Sequence, residues 1–169
     1  MRAAACSGLH ARQHLTALIE VRDCLLNAIR VFFRTRGYRE VCTPVLVDCP
    51  GLDHYVEALP AGSGKYLATS PELHMKRLVC NGAPLVYQIT PALRAAETGA
   101  HHRTEFLMLE WYHCGISYQE MMRETEELLV HLTQSCDYNS FVPTDGIPRI
   151  TVDHLYEKLA GWRPSQDWN

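Results

Sequence analysis

The chain has 169 residues, 47% of them hydrophobic, and a formal net charge of −3. This length supports one domain with a sizeable core, because a globular chain of this size buries about two-thirds of its unfolded surface, and the acidic balance disfavours a module that lives on nucleic-acid affinity alone. No apolar run reaches the ~18 residues needed to cross a bilayer, and the opening MRAAACSGLH is too short and broken in its apolar part for a secretory signal, so a cytoplasmic location is the default expectation.

Residues 1–11 read as a disordered N-terminus. Leu15, Leu18, Ile19, Arg22, Leu25, Leu26, Ile29, Phe32 and Phe33 then recur at helical spacing, which predicts a long amphipathic helix over 12–36. Gly37 is placed to stop it. Residues 38–46 (YREVCTPVL) alternate and are β-branched, so they read as a strand, with Pro44 putting it at an edge or an end. Residues 48–64 hold Pro50, Gly51, Pro60, Gly62 and Gly64 and read as loop and hairpin, followed by a short strand over 65–69. Thr69 or Ser70 is placed to cap a helix with Pro71 at its first position. That helix runs to about Cys80 and stops at Asn81-Gly82.

Residues 84–89 and 105–113 read as two strands joined by a polar loop. Ser117-x-x-Glu120 is a capping-box pattern that opens a helix to about Ser135. A loop with Pro143, Gly146 and Pro148 leads to a short helix over 152–159, and the tail 161–169 has no periodic pattern. Hairpins dominate over βαβ crossovers, so the fold class is α+β, an antiparallel sheet flanked by helices. One domain over 12–160 is expected.

Seven cysteines (6, 24, 42, 49, 80, 114 and 136) are scattered without a CxxC pair and read as reduced thiols, mostly small core residues. Gly62-Ser63-Gly64-Lys65 fails as a P-loop, because position 59 is Leu and Tyr66 stands where Ser or Thr is needed. His101, His102, His113 and Cys114 do not make a metal site, since alternation sends His113 and Cys114 to opposite faces. Glu120, Glu124, Glu126 and Glu127 read as a solvated helix face.

The chemistry is expected on the strand at 105–112. One face presents Glu105, Leu107, Leu109 and Trp111, suited to packing on a helix. The other presents Phe106, Met108, Glu110 and Tyr112. Phe106 is suited to stack on a planar ring, and Glu110 with Tyr112 to hold an ammonium group. The same pattern also fits a solvated sheet face with two chance aromatics. The preceding loop adds Arg94, Glu97, His101, His102 and Arg103, which suit the phosphates of a nucleoside triphosphate, or form an ordinary polar hairpin tip.

The segment LVYQITPALRAAETGAHHRTEFLMLEWY (85–112) resembles motif 2 of class II aminoacyl-tRNA synthetases, and RGYREVCTPVL (36–46) resembles their motif 1, the dimer-building helix and strand. TSPELHMKRLV (69–79) and EFLMLEWY are most similar to the lysine-activating branch, which includes lysyl-tRNA synthetases and stand-alone ligases acting on elongation factor P. The resemblance covers about 15–160. It implies ATP-dependent activation of lysine or (R)-β-lysine as an adenylate, with Mg2+, and transfer to a lysine of elongation factor P. Two alternatives stand beside it: a fragment of a lysyl-tRNA synthetase charging tRNA-Lys, and a catalytically incomplete binding or dimerisation module.

By the same resemblance, catalytic Arg94 bridges the α-phosphate of ATP and the substrate carboxylate, His102 meets the outer phosphates and Phe106 stacks on adenine. Ser70 and Glu72 bind the substrate lysine, Glu72 through its α- or β-amine, and Glu110 and Tyr112 hold its side-chain amine. The acidic residue that usually lies two positions after the arginine is Ala96 here, with Glu97 one place later as its substitute. The family's His-Asn-Pro-Glu-Phe is His102-Arg103-Thr104-Glu105-Phe106, and Leu93 stands where Phe is common. The Gly-rich motif 3 and the usual Mg2+ ligands are expected beyond residue 169. Few residues precede the first helix, where lysyl-tRNA synthetases carry an anticodon-reading OB-fold; this favours the protein acceptor. A homodimer through motif 1 is expected, with no membrane partner.

Overall fold

The computed structural model describes residues 3–51, 53–95, 99–136 and 146–167. Helix α1 spans Ala3–Thr35. It begins well before residue 12, so the expectation of disorder over 1–11 does not fit the helical backbone from Ala3 onward. Alanine-rich sequence is the strongest helix former, and here it extends the element. Gly37 ends the helix as expected: its φ is +82°, and the Tyr38 amide donates to the Phe33 carbonyl over 3.0 Å.

The expected strand over 38–46 is broken in two. β1 (Arg39–Glu40) joins one sheet and β2 (Leu46–Val47) another. Pro44 has no amide to donate. In the gap, the Val41 amide reaches the Tyr87 carbonyl at 2.9 Å and the Thr43 amide reaches the Gln88 side-chain oxygen at 3.1 Å. A buried glutamine thus stands in for the missing ladder bonds. β3 (Pro60–Gly62) and β4 (Lys65–Leu67) form the expected hairpin, with β2 on the other side of β4, all antiparallel.

The main sheet has the order β1-β5-β6, with β5 at Leu85–Leu93 and β6 at Glu105–His113. β5 and β6 are antiparallel through nine paired positions, from Leu85↔His113 to Leu93↔Glu105. β1 joins β5 in parallel, which adds one short parallel pair to the expected antiparallel sheet. α2 (Glu72–Cys80) lies against β5 and β6. Pro71 is its N-cap rather than its first helical residue, and Ser70 Oγ accepts from the Glu72 amide at 3.3 Å.

α3 (Tyr118–Ser135) opens on the predicted capping box: Ser117 Oγ accepts from the Glu120 amide, and the Glu120 carboxylate accepts from the Ser117 amide. α4 (Val152–Ala160) follows the Thr151 cap. Within the tail, α5 (Pro164–Asp167) is pinned by Arg163 on Glu157 at 2.6 Å and by the Ser165 hydroxyl on Asp153.

The core lies between the α1–α3 layer and one face of the sheet. Ile29, Phe32, Phe33, Tyr38, Tyr87 and Leu128 are buried, with Leu85, Ile89, Leu109, Trp111 and Leu132 packed on them. Phe33 stacks on Tyr87 with centroids 4.6 Å apart and meets Tyr38 edge-on at 5.0 Å. Two expectations need correction here. Glu124 is not on a solvated face: it accepts from the Tyr38 hydroxyl and contacts His113 Nδ1 at 2.8 Å, tying α3 to the ends of α1 and β6. Six of the cysteines are not core residues either: Cys42, Cys49, Cys80 and Cys114 are exposed free thiols, and Cys24 and Cys136 are half-buried. The exposed four lie in turns, strand gaps and helix ends, where the packed layers do not reach.

Candidate functional site

The parity read from the sequence divides β6 only in part as expected. Leu109 and Trp111 pack on the helical core, but Glu105 and Leu107 of the same face are exposed, while Phe106, Met108, Glu110 and Tyr112 share the opposite face, all half-buried. Their direct partners on β5 are Ala92, Thr90, Gln88 and Val86, and all four are buried. The floor under this face is therefore a tight pair of strands.

Arg94 is held at the end of β5. Its amide donates to the Thr104 carbonyl at 2.9 Å, closing the β5–β6 loop. The amides of Leu93 and Ala95 donate to Ala68 and Glu57 at 3.1 and 2.7 Å, so the backbone is fixed on both sides. The side chain is fixed as well: Nε donates to the Thr69 carbonyl at 3.3 Å. The guanidinium stands 5.3 Å from the centroid of the Phe106 ring. A cation over an aromatic face at this distance is favourable, and it sets a guanidinium fork beside an aromatic ring. Thr69 is buried, and its Oγ1 would lie 2.8 Å from a Cβ at position 51, so only Gly51 lets that loop approach.

A second group lies at the other end of the face. The Tyr112 hydroxyl donates to the Glu110 carboxylate at 2.7 Å. Burial, and then the like charge of Glu72, raise the Glu110 carboxyl, against the opposing pull of the Tyr112 hydrogen bond and of Lys76. Burial and the Glu110 contact hold the Tyr112 phenol fully protonated. Glu72, in the first turn of α2, therefore faces Glu110 closely enough to repel it. Lys76, one turn further along α2, forms an ion pair with Glu72. The arrangement is an acidic pair with one internal ammonium beside it, a setting that favours a cationic ligand.

Of the expected residues, the structure brings Arg94 and Phe106 together, Glu110 and Tyr112 together, and Ser70 and Glu72 together. His102 stands exposed in the β5–β6 loop. Glu97 lies outside the described residues. Thr69, Gly51 and Lys76 were not singled out from the sequence as site residues. Lys76 was legible there, since Glu72 and Lys76 are i, i+4 neighbours on a predicted helix; the Gly51–Thr69 approach joins distant loops and has no local signal. Among the described residues no three His, Cys, Asp or Glu side chains gather as a metal set, and no described helix is long and apolar enough to cross a membrane. An open cavity of about 420 Å3 lies at Arg36, Arg123, Glu126, Glu127 and His131, and no residue of β6 lines it.

Comparison with known proteins identifies the family and its fold. The chain is 42% identical over 119 residues to an elongation factor P–(R)-β-lysine ligase homologue of Aquifex aeolicus, covering 66% of this chain and 41% of that one. It is 33% identical over 157 residues to the elongation factor P–(R)-β-lysine ligase of Pseudoalteromonas translucida, covering 88% and 46%. The chain thus spans less than half the length of these relatives. Among solved structures, asparaginyl-tRNA synthetase of Pyrococcus horikoshii in complex with asparaginyl-adenylate superposes with a TM-score of 0.64 at 27% identity, covering 72% of this chain and 28% of that one. The family described as tRNA synthetases class II (D, K and N) matches residues 6–167, and the chain belongs to it.

Proposed function

We propose that this chain carries the ATP- and amino-acid-binding half of a ligase that activates lysine or (R)-β-lysine as an adenylate and passes it to a lysine of elongation factor P. The observation that carries the reading is the β6 face, with a fixed Arg94 beside Phe106 at one end and an acidic Glu72–Glu110–Tyr112 group at the other.

In adenylate formation the substrate carboxylate attacks the α-phosphorus of ATP, and pyrophosphate leaves. Charge builds on the transferred phosphoryl group, so a fixed cation at that point stabilises the transition state more than the ground state. Arg94, held by Thr69 and Thr104, is assigned to that point, and Phe106 is assigned to stack on the adenine. His102 and Glu97 are assigned to the outer phosphates and the adenine amino group. Two carboxylates of like sign disfavour an aspartate substrate and favour a diamine: Ser70 and Glu72 take the backbone amine, and Glu110 with Tyr112 the side-chain ammonium. Mg2+ belongs to the family's chemistry, but the described residues offer no ligand set for it, so no step is assigned to a metal held by this chain. The names of the relatives, in which elongation factor P is the acceptor, favour a protein acceptor over tRNA.

A homodimer through α1 and the Leu46 segment belongs to the same reading, because Leu15, Leu18, Ile19 and Leu46 are each more than half exposed. Sedimentation at tens of micromolar is expected to give a dimer, and a strict monomer contradicts this part. The function itself is tested by amino-acid-dependent ATP–pyrophosphate exchange, followed by labelled transfer to elongation factor P. Exchange with lysine or (R)-β-lysine and transfer to the protein support the proposal. Charging of tRNA without the protein acceptor contradicts it.

A further inference from the structure

Two half-buried thiols meet where α1 packs on the end of α3, away from the β6 face. Cys24 Sγ lies 2.6 Å from Cys136 Sγ and 3.4 Å from the Ser135 carbonyl. The two residues are 112 positions apart in sequence, so the fold brings them together. Their approach is fixed by the contact next to it: His131 Nε2 lies 3.1 Å from the Ala28 carbonyl, and the His131 ring meets Phe32 at 5.6 Å. Cys24 is about one helical turn before Ala28, and Cys136 is just over one turn after His131. The helices run antiparallel here, so a pair at 28 and 131 predicts a pair near 24 and 136. Cys136 is also the C-cap of α3, with its amide on the Leu132 carbonyl at 3.1 Å. Cys42, Cys49, Cys80 and Cys114 are exposed.

We propose that Cys24 and Cys136 are an intramolecular disulfide site, oxidised by a small dialkyl disulfide of the glutathione class to a cystine that staples α1 to the C-terminal end of α3. The thiolate of one cysteine attacks a sulfur of the oxidant, whose S–S bond breaks and releases one small thiol. The thiolate of the second attacks the mixed disulfide, forms the Cys24–Cys136 bond and releases the second small thiol. Two protons and two electrons pass from the protein sulfurs to the oxidant. Burial, and then the Cys24 thiol, push Cys136 up to about 11. Cys136 is therefore mostly protonated at neutral pH, and its thiolate reacts faster as the solution is made alkaline. The closed loop encloses every strand of both sheets, and cross-links over such long loops restrict the unfolded chain most. This site stands apart from the ligand reading of the β6 face and does not depend on it.

The test is oxidation of the whole chain with oxidised glutathione, read by intact mass, peptide mapping and thermal melting. The expected product has lost two hydrogens and gives a cross-linked peptide pair containing Cys24 and Cys136 that a dithiol reductant separates. Its melting temperature rises by about 5–10 °C over the reduced protein. Cys24→Ser and Cys136→Ser each remove both the cross-link and the rise. Mapping of the wild-type chain decides the matter even if a variant folds poorly. Separate glutathione adducts on Cys24 and Cys136, bonds from either to other cysteines, or free alkylation of both after oxidation would overturn the proposal.

Discussion

The two faces of β6 are built from alternate residues of one strand and have opposite duties. Leu109 and Trp111 pack into the core with Phe33 and Tyr87, where shape and volume decide. Phe106, Glu110 and Tyr112 look the other way, where a cation–ring contact and a desolvated carboxylate decide. The helical face holds the strand straight and in register, and this rigidity lets the other face hold its groups in fixed geometry. Substitutions on the two faces should therefore fail differently, the first in stability and the second in binding or rate.

The largest expected effect is on the core side. Phe33→Ala removes a fully buried ring from a stacked and edge-on aromatic cluster, and a loss of about 3–5 kcal/mol of stability is expected in urea unfolding. Arg94→Ala should leave unfolding nearly unchanged while lowering lysine-dependent ATP–pyrophosphate exchange by about 10²–10³-fold, the range for removing one fixed donor to developing charge.

Glu110→Gln sharpens the contrast further. Because burial raises the folded carboxyl, the folded state binds its proton more readily than the unfolded chain does. Stability from this group therefore grows as pH falls through its raised pKa, and the ionised form is a cost at neutral pH. The glutamine variant should thus be as stable as the parent or slightly more so. Its KM for lysine should nonetheless rise by about 10–100-fold, the worth of a charge-assisted hydrogen bond. In the parent, the KM for lysine should begin to climb on acidification at a higher pH than an ordinary glutamate would give. The smallest effect is at the rim: Ser117→Ala opens the capping box of α3 and should cost about 1 kcal/mol, with no change in exchange.

Much of this division was legible in the sequence. The alternation over 105–112, the Gly37 stop and the Ser117–Glu120 box are local signals, and each is fixed by the residues that carry it. What escaped depends on residues far apart. The break in the 38–46 strand needs the Gln88 side chain to satisfy the Thr43 amide. Glu124 is drawn out of solvent by Tyr38 and His113, from two other elements. The Cys24–Cys136 meeting depends on the pairing of α1 with α3. In the site, Phe106, Glu110 and Tyr112 were placed on one face by parity alone. The fixing of Arg94 through Thr69 and Thr104 required the closed loop and the neighbouring sheet.

The most direct measurement is ATP–pyrophosphate exchange by the chain with lysine, (R)-β-lysine, aspartate and asparagine compared side by side, in the parent and in Glu110→Gln. The acidic group of Glu72, Glu110 and Tyr112 at the far end of the β6 face predicts exchange with a diamine substrate only, and its loss in the variant at subsaturating lysine. Exchange driven by aspartate or asparagine, or lysine-driven exchange indifferent to Glu110→Gln, would contradict the account.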